Sequence, residues 1–140
     1  MSDGKFEKVT RSEKTLYGPR KLILCGFPAG MQANFTKVLA FAGLQGLDVV
    51  WATEDRADAA IGHLLEQPAD TGAETDSTLP RAIIVAGISE NELHTLMNTC
   101  RASGMQPALW AVLTPVSEKW PLGQLLAELE AERNALEARS

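Results

Sequence analysis

Four short and almost continuous runs of apolar residues are spaced along the chain, and each predicts a β-strand. The runs are Lys21–Gly26, Leu47–Ala52, Arg81–Gly87 and Leu109–Thr114. Apolar and polar residues do not alternate within them, which is typical of parallel strands that are covered on both faces. The pattern therefore predicts a sheet between two layers of helices.

Apolar residues recur at helical spacing between these runs. The expected apolar face consists of Met31, Phe35, Val38, Leu39 and Ala42 in one helix, and of Leu93, Leu96, Met97 and Cys100 in another. Gly43 and Gly104 follow where helix C-termini favour glycine. Ser89 and Glu92 have the spacing of a capping box, so the second of these helices is expected to begin there.

Two further helices are expected, one over Arg56–Leu65 and one from Pro121 towards Arg139. The final helix has an apolar side of Leu122, Leu125, Leu126, Leu129 and Leu136. Its first leucines are expected to cover the sheet, whereas Leu129 and Leu136 would lie beyond it. An apolar stripe that overhangs the core indicates a partner surface. We therefore expect self-association through this helix as a homodimer, with Trp110 or Trp120 alongside.

The chain resembles itself at an offset of 61 residues. At that offset "LILCGF" aligns with "IIVAGI", Gly43 with Gly104, and Thr53 with Thr114. The glycines fall at equivalent joints of a strand–turn–helix–strand unit. The sequence thus indicates an internal repeat of two βαβ units, with halves at about 21–53 and 82–114.

Right-handed crossovers then favour an α/β fold with a small, mostly parallel four-stranded sheet of order 2-1-3-4 and a C-terminal helix. If Arg56–Leu65 is a true crossover helix, all four strands are parallel. The turns at Gly26 and Gly87 would then meet at the reversal of strand order, where open α/β sheets bind ligands. The alternative is a ferredoxin-like α+β fold, with helices on one face only.

Length and charge set the remaining limits. The 140 residues suit a single domain at 20–140 after a flexible polar tail at 1–19, and the acidic stretch at about 67–79 is expected to be a mobile loop. A net charge of −5 argues against nucleic acid as a partner. The two cysteines form no disulfide framework, and no signal-like or membrane-spanning run is present. We therefore expect a cytoplasmic protein that does not use a membrane.

Candidate ligand-binding residues cluster at the strand ends, and they are Gly26, Phe27, Gly87, Ile88, Ser89, Thr114 and Pro115. No phosphate-loop or dinucleotide fingerprint accompanies them, so purely structural turns are favoured. Pro115 withdraws a backbone donor and ends its strand. His63 and His94 belong to no metal-binding pattern, and no metal or other cofactor is expected.

Cys25 ends a strand just before a helix, where a thiolate can be stabilised. No histidine or aspartate lies nearby in the sequence to activate it, so a small buried residue is favoured over a nucleophile. Cys100 lies on an apolar helix face and is expected in the core for the same reason.

Several stretches resemble an uncharacterised bacterial family, domain of unknown function 3783. They are "AGIS" (Ala86–Ser89), "ENELHTLMNTCRASG" (Glu90–Gly104), "AVLTPVSEKW" (Ala111–Trp120) and "IGHLL" (Ile61–Leu65). The resemblance covers about Lys21 to Leu129 and is strongest in the second half. Ile88 replaces an aromatic residue of the family pattern, and Val116-Ser117 replaces Thr-Asn. The resemblance implies no activity.

Three functions remain open at this point. The first is a non-catalytic interaction or regulatory module. The second is a small-molecule or anion sensor that uses the turns at Gly26 and Gly87, with an unknown ligand. The third is a thiol enzyme that uses Cys25.

Overall fold

A computed structural model describes residues 14–139 of the chain. Within this part, four strands alternate with four α-helices. The elements in chain order are β1 (Lys21–Cys25), α1 (Ala29–Phe41), β2 (Asp48–Ala52), α2 (Ile61–Leu65), β3 (Ala82–Ala86), α3 (Glu90–Ala102), β4 (Leu109–Val112) and α4 (Leu122–Arg139). Each predicted strand contains an observed one, because the buried strands are locally continuous in apolar residues.

The strands form one sheet in the order β2-β1-β3-β4. The β1–β2 and β3–β4 pairs are parallel, whereas the central β1–β3 pair is antiparallel. The predicted strand order and the mostly parallel α/β sheet are therefore confirmed. The fully parallel version of that sheet is wrong at its centre.

The connection between β2 and β3 explains the reversed central pair, because it passes along the sheet twice. At the end of α2, the Leu65 carbonyl accepts a hydrogen bond of 2.9 Å from Lys21 Nζ, at the start of β1. The chain then turns back along the outer edge of β2, where the Asp70 N–H donates to the Val49 carbonyl at 2.8 Å. It arrives beside the last residue of β1, so β3 begins there and runs in the opposite direction.

The returning segment, residues 67–79, is fastened to α1. The side chain of Gln32 is buried and forms two hydrogen bonds with the segment. Its Oε1 accepts from the Glu74 N–H at 2.7 Å, and its Nε2 donates to the Thr75 carbonyl at 3.3 Å. Asp76 accepts the Ala29 N–H at 2.7 Å. It thereby caps α1, whose own N-cap residue offers no side-chain bond. The mobility of this acidic stretch stays a prediction.

Helices cover both faces of the sheet, so the ferredoxin-like alternative, with helices on one face, is wrong. The residues of α1 and α3 pack on one face, and those of α2 and α4 pack on the other. The first core includes Leu22, Leu24, Phe35, Leu39, Ile83, Val85 and Leu96. The second includes Ile23, Ile84, Ile61, Leu64, Leu122, Leu125 and Leu126. Because successive strand residues point to opposite faces, each strand contributes to both cores.

The elements of the two halves recur at a constant offset of 61 residues. β1 and β3, α1 and α3, and the starts of α2 and α4 all correspond at this offset. Contacts between the halves correspond as well: Ile61 N–H donates to the Trp120 carbonyl at 3.0 Å, and Leu122 N–H donates to the Ala59 carbonyl at 2.9 Å. Each of these two contacts therefore has a counterpart at the same offset.

The segment before β1 lies against the start of α3. Thr15 pairs with Ser89 in an antiparallel bridge, and the Leu16 N–H donates to the Ile88 carbonyl at 2.8 Å. Of the flexible tail expected at 1–19, residues 1–13 lie outside the described part of the chain. Within residues 14–139, no helix is both long enough and apolar enough to cross a membrane.

Candidate functional site

The two glycine turns follow the two central strands, and they lie at opposite ends of the sheet because those strands are antiparallel. Each turn is closed by backbone from the other half. A Cβ on Gly26 would lie 2.4 Å from the Leu79 carbonyl oxygen, and one on Gly87 would lie 2.4 Å from the Pro19 carbonyl carbon. The expected single site at which both turns meet is therefore not formed. Glycine is needed at each turn for close backbone approach.

The neighbours of these turns have structural partners. Phe27 and Ile88 are buried, at 3% and 0% exposure, and belong to the core between the sheet, α1 and α3. Ser89 forms the predicted capping box with Glu92, each side chain accepting the other residue's backbone N–H. The capping prediction is confirmed.

The turn after β4 is held by a reciprocal pair of hydrogen bonds. The Thr114 N–H donates to Ser117 Oγ at 3.0 Å, and the Ser117 N–H donates to Thr114 Oγ1 at 2.9 Å. This pair fastens a short 3-10 turn at Ser117–Lys119 that leads into α4. Pro115 is exposed and lies two residues before this turn. Because β4 runs parallel to β3, Thr114 and Pro115 follow their strand at the same end of the sheet as the Gly87 turn, and at the opposite end from the Gly26 turn.

Both cysteines are buried within the described fold. Cys25 has 0% exposure, and burial raises the pKa of its thiol to about 12. Burial also raises the pKa of the Cys100 thiol, to about 11. The thiolate is the reactive form, so both groups are overwhelmingly protonated and inert at neutral pH.

We expect iodoacetamide to label the native protein slowly at both cysteines and to label it rapidly only in denaturant. Labelling is followed by mass spectrometry of the tryptic peptides, with free glutathione as the reference thiol. Rapid labelling of Cys25 in the native protein, with an acidic apparent pKa, contradicts the buried assignment and reopens the thiol-enzyme hypothesis.

The proposed interface residues differ in burial. Trp110 is partly buried against the core beneath α1 and α3, whereas Trp120 is partly buried against the core beneath α2 and α4. Leu129 packs at the margin of that second core. Leu136 is 63% exposed near the end of α4. At about 1.5 Å per residue, the 18 residues of α4 extend roughly 27 Å.

An apolar groove, called here the α1–α3 groove, lies between α1 and the turn that follows α3. It encloses about 290 Å³. Six of its residues are Phe27, Met31, Phe35, Val38, Phe41 and Met105. Phe41 is 84% exposed and Met31 is 39% exposed, while Phe27 and Phe35 are buried. The groove therefore combines a fixed apolar floor with an apolar rim that faces solvent.

Aromatic rings pack closely against one another in the floor of the groove. The ring of Phe27 lies edge-on to Phe35 at 5.2 Å and to Trp51 at 5.9 Å between centroids. The Arg81 guanidinium lies 4.4 Å from the centre of the Phe27 ring, and its Nε donates to the Gly26 carbonyl at 3.1 Å. Partial burial lowers the pKa of Arg81. Such edge-to-face and cation–π contacts fix ring orientation.

The second half has no equivalent apolar rim. At the 61-residue offset, Met31 corresponds to Glu92 and Phe41 corresponds to Ala102. Glu92 is held by two hydrogen bonds of 2.8 and 2.7 Å from Arg20. That guanidinium lowers the pKa of Glu92 to about 2. The two helices occupy equivalent places in the fold, so the apolar rim is a property of α1 and not a requirement of the architecture.

Sequence reasoning missed this groove. It placed Met31 on the buried face of α1, but Met31 is more than one-third exposed. Phe41 could have indicated the groove, because it is a large apolar residue that lies outside the predicted apolar face of α1. Among residues 14–139, no group of three histidine, cysteine, aspartate or glutamate side chains is placed to hold a metal ion.

The fold and the groove define a three-layer α/β/α domain with an apolar groove on one helical layer. Residues 81–136 match a family model described as Domain of unknown function (DUF3783). The predicted resemblance is thereby confirmed over those residues, which include β3, α3, β4 and most of α4. No curated protein and no solved structure matches the chain.

Proposed function

We propose that this chain is a non-catalytic interaction module whose α1–α3 groove binds an apolar segment of a protein partner. The observation that carries this proposal is the exposed rim of the groove, above all Phe41 at 84% exposure. Burial of a phenylalanine side chain stabilises a complex by about 1.5–3 kcal/mol before the costs of association. A rim of this kind, above a packed aromatic floor, has the anatomy of a small protein-binding hot spot.

The charge of the groove favours acidic partners. Lys37 is the only charged residue of α1 and lines the groove. Acidic residues beside the apolar face of a bound segment would approach this ammonium group. An amphipathic helix with leucines on one face and glutamates beside them fits these properties, in the manner of helix-in-groove recognition.

A synthetic amphipathic peptide of that pattern tests the proposal. We expect it to shift the backbone amide resonances of Lys37, Phe41 and Gly104, and we expect Phe41→Glu to weaken binding at least about tenfold, or by roughly 1.4 kcal/mol. Ala102→Glu is the matched control, because it adds the same charge at the equivalent position of α3. Resonance shifts that are spread over the whole surface would contradict the groove as the binding site. So would resonance shifts that are unchanged in the Phe41→Glu variant.

Self-association through α4 forms part of the same proposal. It is supported by the 63% exposure of Leu136 on the apolar side of α4, beyond Leu129 at the margin of the core. We expect the wild type to sediment as a dimer and the Leu129→Glu, Leu136→Glu variant to sediment as a monomer. A wild type that stays monomeric at high micromolar concentration contradicts this prediction.

The sensor alternative has lost its main support, because the turns at Gly26 and Gly87 are too far apart to share one ligand. The thiol enzyme is disfavoured by the burial of Cys25. We propose the remaining assignments on sequence grounds alone. They are a duplicated origin of the two halves, a bacterial source and a cytoplasmic location.

A further inference from the structure

We infer that the end of α4 from a second copy of this chain is the segment that occupies the α1–α3 groove. The inference rests on the proposed self-association through α4 and names the surface that receives the helix. It joins two exposed apolar features that belong to different helical layers of one molecule, the rim at Met31 and Phe41 and the side chain of Leu136.

The charges of the two surfaces are complementary. The groove carries the Lys37 ammonium, and α1 holds no acidic residue. Residues 127–138 of α4 hold four glutamates and one arginine. The chain as a whole has a net charge of −5, so two copies repel one another over most faces. Contact between the groove and the acidic helix avoids that repulsion.

The rim is long enough to receive the end of a helix. Met31 and Phe41 are ten residues apart on α1, about 15 Å along its axis. Leu129 packs at the margin of the core of its own chain, whereas Leu136, two turns later, is 63% exposed. Leu136 is therefore the leucine of α4 that would enter between the two ends of the rim.

The contact has to be made between copies. In each molecule α4 packs on the face of the sheet that α2 covers, whereas the groove lies in the layer formed by α1 and α3. The sheet separates a groove from the helix of its own chain. Every copy carries one groove and one helix end, so two copies related by a two-fold axis satisfy both contacts in a closed dimer.

Two single substitutions and their mixture test the inference by sedimentation and by energy transfer between labelled copies. Phe41→Glu disables the groove, Leu136→Glu disables the helix end, and both positions are exposed, so both variants should keep the wild-type circular dichroism spectrum. We expect each variant alone to associate at least about tenfold more weakly than the wild type. Ala102→Glu, on the equivalent surface of α3, should dimerise as the wild type does.

The mixture of the two variants gives the decisive result. A mixed pair restores one intact contact, between the groove of the Leu136→Glu chain and the helix of the Phe41→Glu chain. We expect the mixture to associate more tightly than either variant alone. No recovery in the mixture, or a Phe41→Glu variant that dimerises normally, overturns the inference and leaves self-association through another surface. A monomeric wild type overturns the inference together with self-association, whereas peptide binding to the groove is measured independently of both.

Discussion

Replacement of Gly87 by alanine is expected to lower the free energy of unfolding by about 2–5 kcal/mol. Gly87 has a φ of +72°, a region that costs an L-residue about 1–2 kcal/mol. Its Cβ would also lie 2.4–2.5 Å from backbone atoms of Pro19 and Arg20. Backbone at the entry to β1 cannot move aside as a flexible side chain can, so the steric cost adds to the conformational one.

Gly104→Ala provides the matched control. Gly104 has a φ of +78°, but a Cβ there meets no atom within 4 Å. We therefore expect only the conformational cost, about 1–2 kcal/mol. Urea denaturation followed by tryptophan fluorescence measures both values. Equal destabilisation by the two substitutions would show that backbone closure at the Gly87 turn contributes nothing.

The comparison of these glycines separates what the sequence could predict from what it could not. The glycines after β1 and β3, the strands, the helices and the Ser89 capping box could all be predicted, because each depends on residues close together in the chain. The structural reason why position 87 requires glycine could not be predicted from the sequence. It depends on Pro19, which approaches the turn only because β1 and β3 are antiparallel.

The direction of β3 was beyond sequence reasoning for a similar reason. It is decided by the path of residues 66–81, and that path is set by polar contacts such as those of Gln32 with Glu74 and Thr75. Composition predicts such a stretch only as a loop. Hydrophobic periodicity carries no information on whether a connection crosses the sheet once or twice.

The groove escaped prediction because it is formed from parts of two helical units. Its floor comes from residues that periodicity assigns correctly to the core, such as Phe35. Its rim comes from Phe41 and Met31 of α1, and its other side comes from Gly104 and Met105 in the turn after α3. An apolar residue outside the predicted apolar face of a helix was the only local sign.

Phe35→Ala is expected to lower the free energy of unfolding by about 3–5 kcal/mol. Phe35 is 1% exposed and contacts two aromatic rings, with centroid separations of 5.2 Å to Phe27 and 6.3 Å to Trp51. Truncation removes its transfer free energy and leaves a cavity beneath α1. It also removes edge-to-face contacts, which contribute about 0.5–1.5 kcal/mol per pair beyond area burial.

Phe41→Ala on the same helix is the control that links stability to function. Phe41 is 84% exposed, and surface substitutions of this kind change stability by about 0.5 kcal/mol or less. We expect Phe41→Ala to unfold at the wild-type urea concentration and to lose affinity for the amphipathic peptide. Phe35→Ala should unfold at a much lower concentration of urea. If Phe41→Ala instead destabilised the protein as strongly as Phe35→Ala, Phe41 would be a residue of the core, and the groove would lose the rim on which its proposed function depends.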